Sequence, residues 1–199
     1  MKTSKAKTRY LTELALLVAL VLVMSYTPLG YLPVGPLQLS LLSIPVAIGA
    51  MTIGPVAGGV LGAVFGLTSF FSALRGGSLM GEAMIAASLF GTFVTCVVAR
   101  ILMGLCTGWI FRLVCRVLPR SRKLCCAVGG LSAPVLNTVF FMGSLVLFFY
   151  QTDYIQSMAP ANPFVLIVGM VGIQGVIEAV LGCAVSTVVT VPLLKYLGK

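Results

Sequence analysis

From Phe164 to Leu194 the chain carries a single charged residue, Glu178. A run this long and this apolar reads as a helix that crosses the hydrocarbon of a bilayer, about 30 Å at 1.5 Å per residue. Glu178 falls about halfway along it, where a carboxylate costs on the order of 3 kcal/mol. The chain spends acid sparingly, at Glu13, Glu82, Asp153 and Glu178. Gln174 lies one helical turn before Glu178 and on the same face. That polar stripe is expected to face the protein interior, and another part of the chain should supply its partner.

The other apolar runs fix the class. Only 9% of the 199 residues are charged, against roughly 25% in soluble domains. The runs are continuous, which excludes the alternating ten-residue pattern of a membrane barrel. The expected fold is an all-α integral membrane protein, one membrane domain over 1–199. Six transmembrane helices are expected at about 11–26, 39–53, 55–74, 83–111, 125–150 and 164–194. The basic residues collect at Lys2 to Arg9, at Arg112 to Lys123, and at Lys195 and Lys199. Six spans put all three clusters on one side, so N- and C-termini are expected to be cytoplasmic. The net charge of +9 is thus read as orientation, with no nucleic-acid partner. The apolar run after the basic start lacks a small-x-small cleavage site, so it is read as an uncleaved first span.

Chemistry is limited by what is missing. The chain has no His, the commonest residue of catalytic and zinc sites. The six Cys show no paired spacing of a disulfide framework. No GxxxxGK[ST] loop is present, so the chain carries no ATP motor of its own. No catalytic residue, metal or cofactor is expected, and the protein is not read as an enzyme.

Small residues mark helix contacts. Ala15 and Ala19 make a small patch on one face of the first span, for another membrane helix or for internal packing. Gly54, Gly58, Gly62 and Gly66 recur every four residues and form a groove for close helix approach. Tyr26 to Leu39 is punctuated by Pro28, Pro33 and Pro36, cannot be a regular helix, and is expected to fold over the outer end of the bundle. Arg75, in the break before Glu82, is either a ligand cation or a membrane-edge anchor.

Arg100, Asn137 and Glu178 fall at similar depth in three different spans. Arg100 and Glu178 are the acid and base well inside the membrane, and pairing is the cheapest way to bury both. Two readings follow. In one, an ion pair locks spans 4 and 6 of a structural or assembly protein. In the other, Arg100 meets the carboxylate of an anionic solute. Asn137, Gln174 and Glu178 then take its hydroxyl or amide groups, and Phe140 and Phe141 form an apolar wall.

These residues resemble a family. The chain is similar to the substrate-binding S components of energy-coupling factor (ECF) transporters over nearly its full length. The likeness rests on Ala15-x-x-x-Ala19, on Ile44 to Ala50, on Gly54-Pro55 and on Gly62 to Phe70. Ala99 to Gly104, Leu136 to Phe140 and Gly175 to Ala179 complete it. It is closest to the pantothenate-type branch, although Ala99 and Ile177 stand where that branch often has Pro. The resemblance implies vitamin uptake across a bacterial cell membrane. The implied partners are the vitamin, the lipid bilayer, a transmembrane coupling protein reached by the Ala15/Ala19 face, and two ATPase subunits. Pantothenate is the first substrate expected; riboflavin or a pyridoxine-like vitamin is the alternative. The expected substrate-binding residues are Arg75, Arg100, Asn137, Phe141, Gln174 and Glu178.

Overall fold

A computed structural model describes residues 2–27, 30–34, 37–158 and 163–196. Side chains are described for these except 2–6, 32–34, 37–39, 153, 154, 158, 163–171 and 173. Pro28, Pro36, Pro160 and Lys199 lie outside the described residues. In order the elements are α1 (Lys2–Ser25), β1 (Tyr31–Val34), β2 (Leu37–Ser40), α2 (Ser43–Thr52) and α3 (Pro55–Leu74). Then come α4 (Leu79–Ala87), α5 (Leu89–Phe93), a π-helical turn (Val94–Val98) and α6 (Ala99–Val117). The chain continues through α7 (Arg122–Phe149), α8 (Asp153–Met158) and α9 (Pro163–Tyr196).

Five helical stretches among the described residues are long and apolar enough to cross a membrane: Lys7–Ser25, Pro55–Leu74, Leu89–Val117, Arg122–Phe149 and Gln174–Tyr196. The fold is all-α, as expected, apart from one short hairpin in which β1 and β2 pair antiparallel, Tyr31 opposite Ser40 and Val34 opposite Leu37. The prolines that bar a helix there leave an extended hairpin open to the chain. The stretch expected to be a span at 39–53 is helical only over Ser43–Thr52, about 15 Å at 1.5 Å per residue. That is about half the hydrocarbon thickness, and α2 is buried within the bundle.

The run expected to cross at 83–111 is broken. Ser88 is extended and its hydroxyl accepts from the Gly91 backbone N–H, which caps a new helix. The membrane-length stretch therefore starts at Leu89, and Arg100 lies nearer that end of the span than a start at 83 predicts. Gly172, with φ +23°, kinks α9.

Two close helix approaches shape the bundle. The glycine stripe of α3 meets the π-helical turn and α6. A Cβ on Gly66 would lie 2.6 Å from the Cys96 carbonyl oxygen, and one on Gly62 would run into the Arg100 carbonyl. Gly58 and Gly104 face each other in the same way, backbone to backbone, and Gly108 faces Pro55. The second approach joins α7 to α9: a Cβ on Gly130 would be 2.8 Å from the Ser186 Cβ, and one on Gly182 would be 2.8 Å from the Pro134 ring. Without a water-driven hydrophobic force between helices in lipid, such backbone proximity is what packing can use.

The main core lies between α2, α3, α6 and α7, where Leu42, Val46, Leu61, Phe65, Met103 and Cys126 are sealed from solvent. A smaller cluster around Leu145, Phe149 and Ile155 closes the end near α4 and α8. By contrast α1 is peripheral. It packs through Leu14, Leu17, Val18 and Val21, and its other face, Ala15 and Ala19 included, is exposed. All six cysteines are free thiols.

Candidate functional site

A cavity of about 160 Å³ opens between α3, α4, α5, the π-helical turn, α6, α7, α9 and the β-hairpin. Its walls include Arg100, Asn137, Phe141, Gln174 and Glu178, brought together from three helices. Arg100, Glu178 and Asn137 are each only 7–8% exposed. Buried polar groups of this kind normally have partners, so the partners decide the reading.

Arg100 is held on three sides. Its Nη1 donates to the Thr95 carbonyl within the π-helical turn. The guanidinium carbon lies 4.5 Å from the Phe141 ring centroid and 5.4 Å from that of Phe65, a pair of cation–π contacts. Nε has no hydrogen-bond partner among the described residues. Phe65 lies between Gly62 and Gly66 on the α3 face that touches α6, so the glycine stripe and the Arg100 clamp belong to one contact.

Glu178 faces a different group. Its Oε1 accepts from the backbone N–H of Ser40 at 2.6 Å, and Gln174, one turn earlier, interacts with the same carboxylate. This bond ties the end of β2 to α9 across 138 residues of sequence. Among the described residues no ion pair joins Glu178 to Arg100; the one salt bridge found is Arg9–Glu13 at the surface, 2.8 Å. The expected pairing of the two membrane charges is therefore not made. The hairpin supplies Glu178 with a donor that no charge count could reveal, and Arg100 takes a carbonyl and two rings instead. On α7 the Asn137 Oδ1 is buried without a partner among the described residues.

Arg75 lies apart. It is exposed at the C-terminal end of α3 and is not among the cavity-lining residues, though its neighbours Ser72 and Ala73 are. Sequence reasoning missed Tyr31, Ser40, Ser69, Ser78 and Thr92, which also line the cavity. It also missed Phe65 and Thr95, which hold Arg100 from behind. The serines had a legible signal, since Ser69 and Ser72 sit at one end of α3 and Ser78 caps α4 through the Gly81 N–H. Tyr31 and Ser40 had none, because only the hairpin pairing brings them to the site. The Tyr31 hydroxyl lies by Ser69, Thr68 and Arg100; burial raises its pKa above the ordinary tyrosine value, against the pull of the Arg100 charge.

A bundle of membrane-length helices around a cavity lined by buried polar side chains is the architecture of a membrane-embedded solute binder. The family model described as ECF transporter, substrate-specific component matches residues 9–193, and the chain belongs to that family. It is a multi-pass protein of the cell membrane and a transporter subunit, not an enzyme, whose partners are its substrate and an ECF module. No curated protein matches the chain.

Proposed function

We propose that this S component captures pantothenate in the cavity, with Arg100 meeting the carboxylate and Asn137, Gln174 and Glu178 meeting the hydroxyl and amide groups. Phe141 forms the apolar wall. The observation that carries the reading is the absence of an Arg100–Glu178 ion pair. Two opposite charges line one cavity without a salt bridge between them, and among the described residues Arg100 Nε and Asn137 Oδ1 lack partners. A purely structural pair has no reason to stay open, because an unpaired buried charge is strongly destabilising. Arg75 lies outside the cavity lining, which favours Arg100 as the ligand cation.

The arrangement further supports six crossings in one membrane domain, both termini cytoplasmic. Strand β2 and helix α2 together carry the chain from Ser40, bonded to Glu178, to Gly54, where an added Cβ would meet Arg112 Nη2 at 2.7 Å. Arg112 opens the basic cluster, so this short helix completes a traverse from the cavity to the cytoplasmic end. The exposed Ala15/Ala19 face of α1 is the contact for the transmembrane coupling protein, which two ATPases energise. Thermal stabilisation of the purified protein by a vitamin panel tests the substrate. Pantothenate at about 100 times its dissociation constant is expected to add roughly 2.7 kcal/mol, and Asn137→Ala to lose that gain while remaining folded. A shift with riboflavin or a pyridoxine-like vitamin instead replaces the substrate.

A further inference from the structure

A guanidinium offers two bidentate edges, the end-on edge of Nη1 and Nη2 and the side-on edge of Nε and Nη2. In Arg100 one of the two Nη1 N–H groups is already taken by the Thr95 carbonyl. Among the described residues the side-on edge is uncommitted: Nε has no partner, and no hydrogen bond from Nη2 is found. The guanidinium lies over the rings of Phe65 and Phe141. The Thr95 carbonyl is within reach because the helix widens into a π turn over Val94–Val98; such turns are frequent at functional sites.

We infer that this turn, with Phe65, is the specificity element of the cavity: it holds Arg100 with the Nε–Nη2 edge uncommitted, and so selects a monoanionic planar carboxylate. The inference rests on reading the cavity as the capture site, and narrows it to a substrate class. A neutral ligand leaves the edge unpaired. A dianionic phosphate brings a second negative charge into a cavity that already holds the Glu178 carboxylate, and like charges at close range repel. Thr95 and Phe65 are positioning residues, acting through Arg100 rather than on the ligand. Phe65 is sealed from the surface and does not line the cavity.

The test compares acids with their neutral counterparts on the purified full-length chain. The pairs are pantothenate with pantothenol, nicotinate with nicotinamide, and biotin with biotinamide, with riboflavin as an uncharged vitamin. Wild type is expected to bind one acid at least roughly tenfold more tightly than its neutral partner, the scale of a hydrogen bond to a charged group. Arg100→Lys and Phe65→Leu should each collapse that ratio toward one while the neutral partner binds as before. Deleting Val98, which is exposed in the π turn, should do the same by bringing Arg100 into α-helical register with Thr95. The acid-to-neutral ratio is the deciding readout, because a merely structural lesion weakens both ligands in parallel. Parallel weakening in the folded Phe65→Leu protein overturns the positioning role. A neutral member binding as well as its acid, riboflavin as the ligand, or no carboxylate binding the folded wild type overturns the carboxylate class. Selective binding of an acid other than pantothenate upholds the class and removes only the pantothenate assignment.

Discussion

Gly62→Ala probes the contact on which the cavity is built. The added methyl would land on the Arg100 carbonyl group, with its carbon at 2.8 Å and its oxygen closer still, and with the Ile101 backbone nitrogen at 3.2 Å. Ordinary van der Waals contact begins at 3.4 Å. The obstacle is backbone, which has no rotamer to escape into, so α3 and α6 must separate by at least 0.6 Å at that level, the difference between those two distances. Overpacking of this sort costs about 1–3 kcal/mol. In a chain of this length each kcal/mol corresponds to about 2–4 °C in Tm, so a fall of roughly 2–12 °C is expected. Gly143→Ala is the control, because a Cβ there meets nothing within 4 Å. Thermal unfolding of both variants in the same detergent or nanodisc reads the difference. The separation also moves Arg100 away from Phe65, so ligand affinity should fall in Gly62→Ala and hold in Gly143→Ala. Equal melting temperatures for the two variants would refute the close α3–α6 approach, and with it this account of how Arg100 is placed.

Two further outcomes test other contacts. Glu178→Ala removes the acceptor of the buried Ser40 N–H and should destabilise the protein by about 1–3 kcal/mol, whereas Glu178→Gln keeps an oxygen there and should lose less; equal losses in thermal melts would show that the hairpin is not held by this bond. Ala15→Leu with Ala19→Leu alters only an exposed face of α1, so stability should stay within about 0.5 kcal/mol and ligand binding should be unchanged. Co-purification with the ECF module should be lost, and a double variant that still co-purifies like wild type would remove that face from the interface.

What could be read in advance follows from cost. A charge inside a membrane is expensive enough that it stands out of the sequence, so Glu178, Arg100 and Asn137 were legible, and they do line one cavity. Small residues at four-residue spacing are equally visible, and the Gly54–Gly66 stripe did predict a close helix contact. The identity of the helix against it was not legible, since a glycine stripe carries no address; the fold supplies α6 and the turn before it. Helix ends were less readable. Ser88 breaks a run that looks continuous in hydropathy, because capping is a local hydrogen bond and leaves the apolar average untouched.

The partners of the charges were the least legible part, for a physical reason. The sequence argument assumed that a buried carboxylate seeks a buried cation, which is the cheapest solution when side chains are the only choices. Backbone groups are also choices, and they have no sequence signature. Glu178 is satisfied by the N–H of Ser40, at the end of a strand that exists only through its pairing with β1. Arg100 is satisfied in part by the carbonyl of Thr95, within reach only because the helix widens into a π turn. Each charge thus keeps part of its hydrogen-bonding capacity for something else. A chain that must hold a polar solute inside a bilayer needs that arrangement: charges stable enough to stay buried when empty, yet not spent on one another.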